Sequence, residues 1–114
     1  MKTYDLLITC SGESAPTVKV LLNEVDNTEW SRVSAGTYRG VSAAGTYPLY
    51  KTATNYGIPT RIVDGGDNVR IIMLQADGGD LLLSCWDDTM TLVDLECNNL
   101  RLTANVYPSF TQAQ

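Results

Sequence analysis

The chain has 114 residues, 44% hydrophobic and only 18% charged, enough apolar material for one domain with a genuine core and too much for a disordered chain. Its net charge is −5, and the eight Lys and Arg are scattered from Lys2 to Arg101. That pattern lacks the basic face that releases counterions from phosphates, so no nucleic-acid partner is expected. No run approaches the ~20 apolar residues of a membrane helix, so no membrane partner is expected either. The opening Met1-Lys2-Thr3-Tyr4-Asp5 lacks the long apolar stretch of a secretory leader, because Asp5 and Thr9 interrupt it; folding in a reducing cytoplasm is the expectation.

The predicted elements begin at once. Tyr4, Leu6, Ile8 and Cys10 alternate with Asp5, Leu7 and Thr9, the period of a strand with one buried face. Ser11 to Pro16 is a loop by composition. Thr17–Val25 alternates Val18, Val20 and Leu22 against Thr17, Lys19, Leu21 and Asn23, and Asp26-Asn27 forms a turn. From Thr28 to Val33 the residues read two ways: Asp26 and Glu29 have capping-box spacing, while Trp30 and Val33 favour a strand, which is preferred.

Ser34-Ala35-Gly36-Thr37-Tyr38 and Ala43-Ala44-Gly45-Thr46-Tyr47 echo one another, suggesting two adjacent strands, each entered through a Gly and anchored by a Tyr. Leu49–Ile58 reads as an irregular connection. Asp64-Gly65-Gly66-Asp67 and Asp77-Gly78-Gly79-Asp80 are the strongest local signals. Each predicts a tight hairpin turn, with a positive φ expected within each Gly-Gly pair. Strands are expected near Thr60–Val63, Asn68–Gln75, Asp80–Trp86, Met90–Glu96 and Leu100–Tyr107. Leu81–Leu83, apolar on both faces, reads as a central strand covered on both sides. In the last strand Leu100, Leu102, Ala104 and Val106 point inward and Arg101, Thr103 and Asn105 outward. The sum is an all-β domain spanning 1–114, with a polar tail over 108–114. Its predicted form is an antiparallel β-sandwich or flattened barrel of about 8–9 short strands with a C-terminal meander.

Chemistry is sparse. Without histidine the chain lacks the commonest general base and the commonest neutral metal ligand. Cys85 and Cys97 lack zinc-site spacing. No Gly-Lys-Ser/Thr phosphate loop occurs. No cofactor, metal or catalytic residue is therefore assigned. Asp64, Asp67, Asp77, Asp80, Asp87 and Asp88 could supply oxygen ligands for calcium, but Asp in such turns more commonly shapes the turn. A turn near Asp87-Asp88 sets residue 85 opposite roughly residue 91 and carries Cys97 about 20 Å along the ladder, beyond disulfide reach. Cys10 and Cys85 read as small core residues, all three cysteines as reduced, and Cys97 as lying near a turn.

The run Ala15-Pro16-Thr17-Val18-Lys19-Val20-Leu21-Leu22-Asn23, then Trp30-Ser31-Arg32, Gly36-Thr37-Tyr38-Arg39-Gly40, Lys51-Thr52 and a closing Val106-Tyr107-Pro108 resembles small β-rich virion proteins of tailed bacteriophages. The likeness covers roughly half the chain and lies in strand residues rather than a catalytic signature. It implies a non-enzymatic structural protein of the virion, such as a capsid decoration, head-fibre or tail-associated module. The implied partners are other copies of the chain and virion shell or tail proteins. Edge strands at Thr3–Thr9 and Tyr38–Tyr50, and the tail through Phe110, are the expected contact segments, with Tyr38, Tyr47, Tyr50 and Phe110 as interface residues. The alternative is a binding module that engages a carbohydrate or host protein through its aromatics or acidic turns.

Overall fold

The computed structural model describes residues 2–23, 28–42, 50–54, 57–77 and 80–107. Nine strands lie in these residues: β1 (Lys2–Cys10), β2 (Thr17–Asn23), β3 (Thr28–Ser34), β4 (Thr37–Ser42), β5 (Tyr50–Thr54), β6 (Thr60–Val63), β7 (Val69–Asp77), β8 (Asp80–Trp86) and β9 (Cys97–Tyr107). They form two antiparallel sheets, ordered β2-β1-β9-β5 and β3-β4-β8-β7-β6. The architecture is an all-β sandwich, and β6-β7-β8 is the meander read from the two Asp-Gly-Gly-Asp turns.

The core follows the period-two pattern. Tyr4, Leu6, Ile8 and Cys10 from β1 and Leu102 and Ala104 from β9 are buried against Tyr38, Ile72, Leu74, Leu81, Leu83 and Cys85 from the facing sheet. Leu82 points to the other face, between Arg39 and Gln75 in register, and is only half-buried. The central strand is thus covered fully on one side alone, because among the described residues no further layer packs outside that sheet.

Several elements differ from the sequence reading. Tyr50–Thr54 is a strand rather than irregular chain; its pairing with β9 supplies the order that its composition does not advertise. Alternation in β2 breaks at a bulge: Asp5 pairs with Leu22 and Leu6 with Val20, so Leu21 has no partner across the ladder. The N-terminal strand is not an edge, since β1 lies between β2 and β9, and β4 is likewise interior. Most consequentially, Met90–Glu96 forms no strand. Trp86 bridges Leu92 and the Val93 amide donates to the Cys85 carbonyl, which places residue 85 opposite residue 93 rather than 91. A five-residue loop consumes the extra chain. After Val93 the backbone leaves this sheet and crosses to the other, where Cys97 starts β9 opposite Cys10. Cys97 is therefore a strand residue and not a turn residue.

The Asp64–Asp67 hairpin forms, but its left-handed residue is Asp67 at φ 63°, and neither Gly65 nor Gly66 has positive φ. A type I turn followed by a left-handed residue closes it, which needs no glycine at its two central positions. The Asp77–Asp80 hairpin is fixed by pairing of those two residues; Gly78 and Gly79, Asp26-Asn27, the 43–47 echo and the 108–114 tail lie outside the described residues.

Gly36 is the glycine that the fold demands. Its φ is 71°, and a Cβ there would lie 2.5 Å from the Cys85 carbonyl oxygen and 2.7 Å from that of Val93. A Cβ on Gly65 would instead meet Glu96 O at an ordinary 3.5 Å. Gly36→Ala should therefore cost more than about 1 kcal/mol, and Gly65→Ala clearly less. Urea unfolding of the two variants side by side checks the order; equal losses would contradict it.

Candidate functional site

The described loops gather at one end of the sandwich: Ser11–Pro16, the β3–β4 turn, the 64–68 and 87–91 hairpin loops and the 92–96 crossing. Tyr38 shows how they are tied. Named as an interface residue, it is instead fully buried, as strand tyrosines commonly are: its ring lies in the core and its hydroxyl accepts the Leu95 N–H at 2.9 Å. That hydroxyl also donates to Asp94 Oδ1 at 3.4 Å. Asp94 is the centre of a wider cluster. Arg32 donates to both carboxylate oxygens, at 2.9 and 3.0 Å, and the Gly36 N–H donates to Oδ1 at 3.1 Å. Residues of the Trp-Ser-Arg and Gly-x-Tyr segments thus converge on one carboxylate that sequence reading passed over.

The acidic turns prove to be two copies of one loop. Asp64 N–H donates to Asn68 O and Asp67 N–H to Asp64 O; Asp87 N–H donates to Thr91 O and Met90 N–H to Asp87 O. In each, the first aspartate's Oδ1 accepts two backbone amides, from Gly66 and Asn68 or from Thr89 and Thr91, all at 2.9 Å. The fourth residue, Asp67 or Met90, is left-handed at φ 63°. The leading carboxylates are engaged in shaping the turns, the role favoured from composition. Asp64 is also buried, with Arg70 Nε 3.5 Å from its Oδ2. Asp80, at the opposite end, pairs with Arg39 at 3.2 Å. Among the described residues no group of three or more Cys, Asp or Glu is placed to hold a metal ion.

Of the other residues expected at an interface, Tyr50 is the first residue of β5, paired with Tyr107, while Tyr47 and Phe110 lie outside the described residues. The exposed apolar surface lies elsewhere. Val20, Leu21 and Leu22 on β2 are 45%, 47% and 47% exposed, and Val33 on β3 and Val63 on β6 are more exposed still. All three strands are terminal in their sheets. The signal was present in the sequence as an unbroken Val-Leu-Leu run, but the alternation assumed for β2 hid it. No protein-family model, curated protein or solved structure matches the chain.

Arg32 holds the Asp94 carboxyl below its ordinary range, and Arg101, with Thr103, does the same for Asp5. A carboxyl with a lowered folded-state pKa contributes stability that is full above its ordinary value near 3.8 and is lost as pH falls through the lowered value. Asp94→Asn should therefore be less stable than the parent at pH 7, and the gap should narrow by pH 3; urea titrations at both pH values check this. Tyr38→Phe, which strands the buried Leu95 amide, should cost about 1–3 kcal/mol at either pH.

Proposed function

We propose that this protein is a non-enzymatic structural module of a tailed-bacteriophage virion that works through protein–protein contacts with copies of itself and with shell or tail proteins. The observation that carries the contact reading is the exposed Val20-Leu21-Leu22 run on terminal strand β2. Three large apolar side chains left half in water along one edge strand are open to cover by a partner, whereas isolated ones need no explanation. The virion attribution rests on the resemblance carried by β2, β3 and β4. In the fold those residues serve architecture: Trp30 Nε1 donates to Tyr4 Oη at 3.3 Å, and Arg32, Gly36 and Tyr38 hold Asp94. Residues committed to holding a scaffold suit a structural protein.

The bulge at Leu21 sets the mode of contact. An interrupted edge is a poor template for continuous strand addition, so side-chain packing on the β2 patch, rather than backbone pairing, is the favoured mode.

Light scattering of the purified protein, alone and mixed with neighbouring virion proteins, should detect a complex. Leu21→Lys combined with Leu22→Lys should abolish that complex while leaving the thermal midpoint nearly unchanged, since both side chains are half in water already. A protein that stays monomeric in every mixture and binds glycans instead would favour the carbohydrate-binding alternative.

A further inference from the structure

The crossing segment that breaks the expected meander brings together two cysteines that sequence spacing keeps apart. Cys10, the last residue of β1, is the cross-strand partner of Cys97, the first residue of β9. Directly opposed residues of an antiparallel pair have Cα atoms about 4.5–5.5 Å apart and side chains on one face, inside the roughly 4.4–6.8 Å window for a disulfide. A bulge sets this register. Ile8 pairs with Leu100 and Cys10 with Cys97, so Asn98 and Asn99 together face Thr9. Asn99 is left-handed at φ 55°, and its N–H donates to Thr9 Oγ1 at 3.1 Å. Both thiols are free, Cys10 buried in the core and Cys97 half-buried against it.

We propose that Cys10 and Cys97 form a reactive dithiol that undergoes thiol–disulfide exchange with small-molecule disulfides of the glutathione class, closing to a cross-strand disulfide. A cleft of about 420 Å³ gives access: Cys10 and Cys97 lie on it with Thr9, Gly65, Gly66 and Asn98. Gly65 and Gly66 keep part of its wall low, while Ser11 and Glu96 complete the lining. The chemistry divides by exposure. The Cys97 thiolate attacks one sulfur of the incoming disulfide, whose S–S bond breaks and releases one thiolate. Cys10 then attacks the Cys97 sulfur, its proton passing to the second small thiolate as that leaves, so that a thiol departs. Two protein thiols are oxidised by two electrons and one disulfide is reduced to two thiols. The close approach of Cys97 and burial both raise the Cys10 thiol, while the Cys97 Sγ–H donates to the Ile8 carbonyl at 3.5 Å. Cys85 takes no part: burial pushes its thiol up to about 12, and it lies in the other sheet.

The test is independent of the assembly reading and uses the intact chain. The native protein is treated with oxidised glutathione, quenched with N-ethylmaleimide after denaturation, and mapped without reduction. Trypsin and chymotrypsin are used together, because no Lys or Arg separates Cys85 from Cys97. The expected product carries a Cys10–Cys97 link and a maleimide only on Cys85. Its thermal midpoint is higher than that of the reduced protein, because the link closes most of the chain into one loop, and dithiothreitol restores the original value. Cys10→Ser should stop at one glutathionyl group on Cys97, and Cys97→Ser should not react while folded. Accumulation of glutathionylated Cys97 in the parent without the internal link would overturn the proposal. So would a Cys85–Cys97 link, or three thiols that react only after unfolding. The parent map decides by itself if either variant fails to fold.

Discussion

The structure depends on one carboxylate. Chain that has completed the meander must pass from one sheet to the other over 92–96, a stretch that bridges β8 only at Leu92 and Val93, and it must bury Leu95 on the way. Backbone polar groups in such a passage need partners or the burial fails. Three of these groups have protein partners: Val93 N–H on Cys85 O, Leu95 N–H on the Tyr38 hydroxyl, and Glu96 O receiving Gly65 N–H. Asp94 then locks the passage to the β3–β4 turn through Arg32, Gly36 and Tyr38. The two-pronged Arg–carboxylate geometry fixes orientation as well as distance. Gly36 is required for the same reason, since a Cβ would displace the Cys85 and Val93 backbone it rests on.

Around this anchor the loop end is built from repeated local devices. The 64–68 and 87–91 loops share one hydrogen-bond plan, each headed by an aspartate whose side chain substitutes for missing backbone acceptors. Glu96 extends the same logic, its Oε1 accepting the Gly12 N–H at 2.6 Å and tying in the first loop. Acidic residues at this end therefore shape loops.

Local periodicity made much of the fold legible. The alternation in β1 and in Leu100–Val106, and the paired Asp-Gly-Gly-Asp turns, announce a β-sandwich with a meander because strand faces and tight turns are decided by near neighbours. What periodicity cannot carry is pairing at long range. Tyr50–Thr54 becomes a strand only because β9 lies beside it, and the Val20-Leu21-Leu22 patch appears only once the bulge shifts β2 against β1. Whether Tyr38 packs in the core or serves an interface is not decided locally, because its partners, Asp94 and Leu95, are more than fifty residues away. Cys97 escapes local reading for a related reason: the chain stops pairing with β8 after Val93 and crosses to the other sheet, where Cys97 pairs with Cys10 across 87 residues of sequence.

If the polar anchoring of the crossing organises this end of the molecule, the segment must be as rigid as the strands it joins. Native-state amide hydrogen exchange reads this directly. The Leu95 amide, bonded to a buried tyrosine hydroxyl, is predicted to exchange as slowly as the amides of Leu74 and Leu83 in the central strands. Exchange of Leu95 at the rate of an exposed loop amide such as Glu13 would show that the crossing opens freely, and would contradict the account.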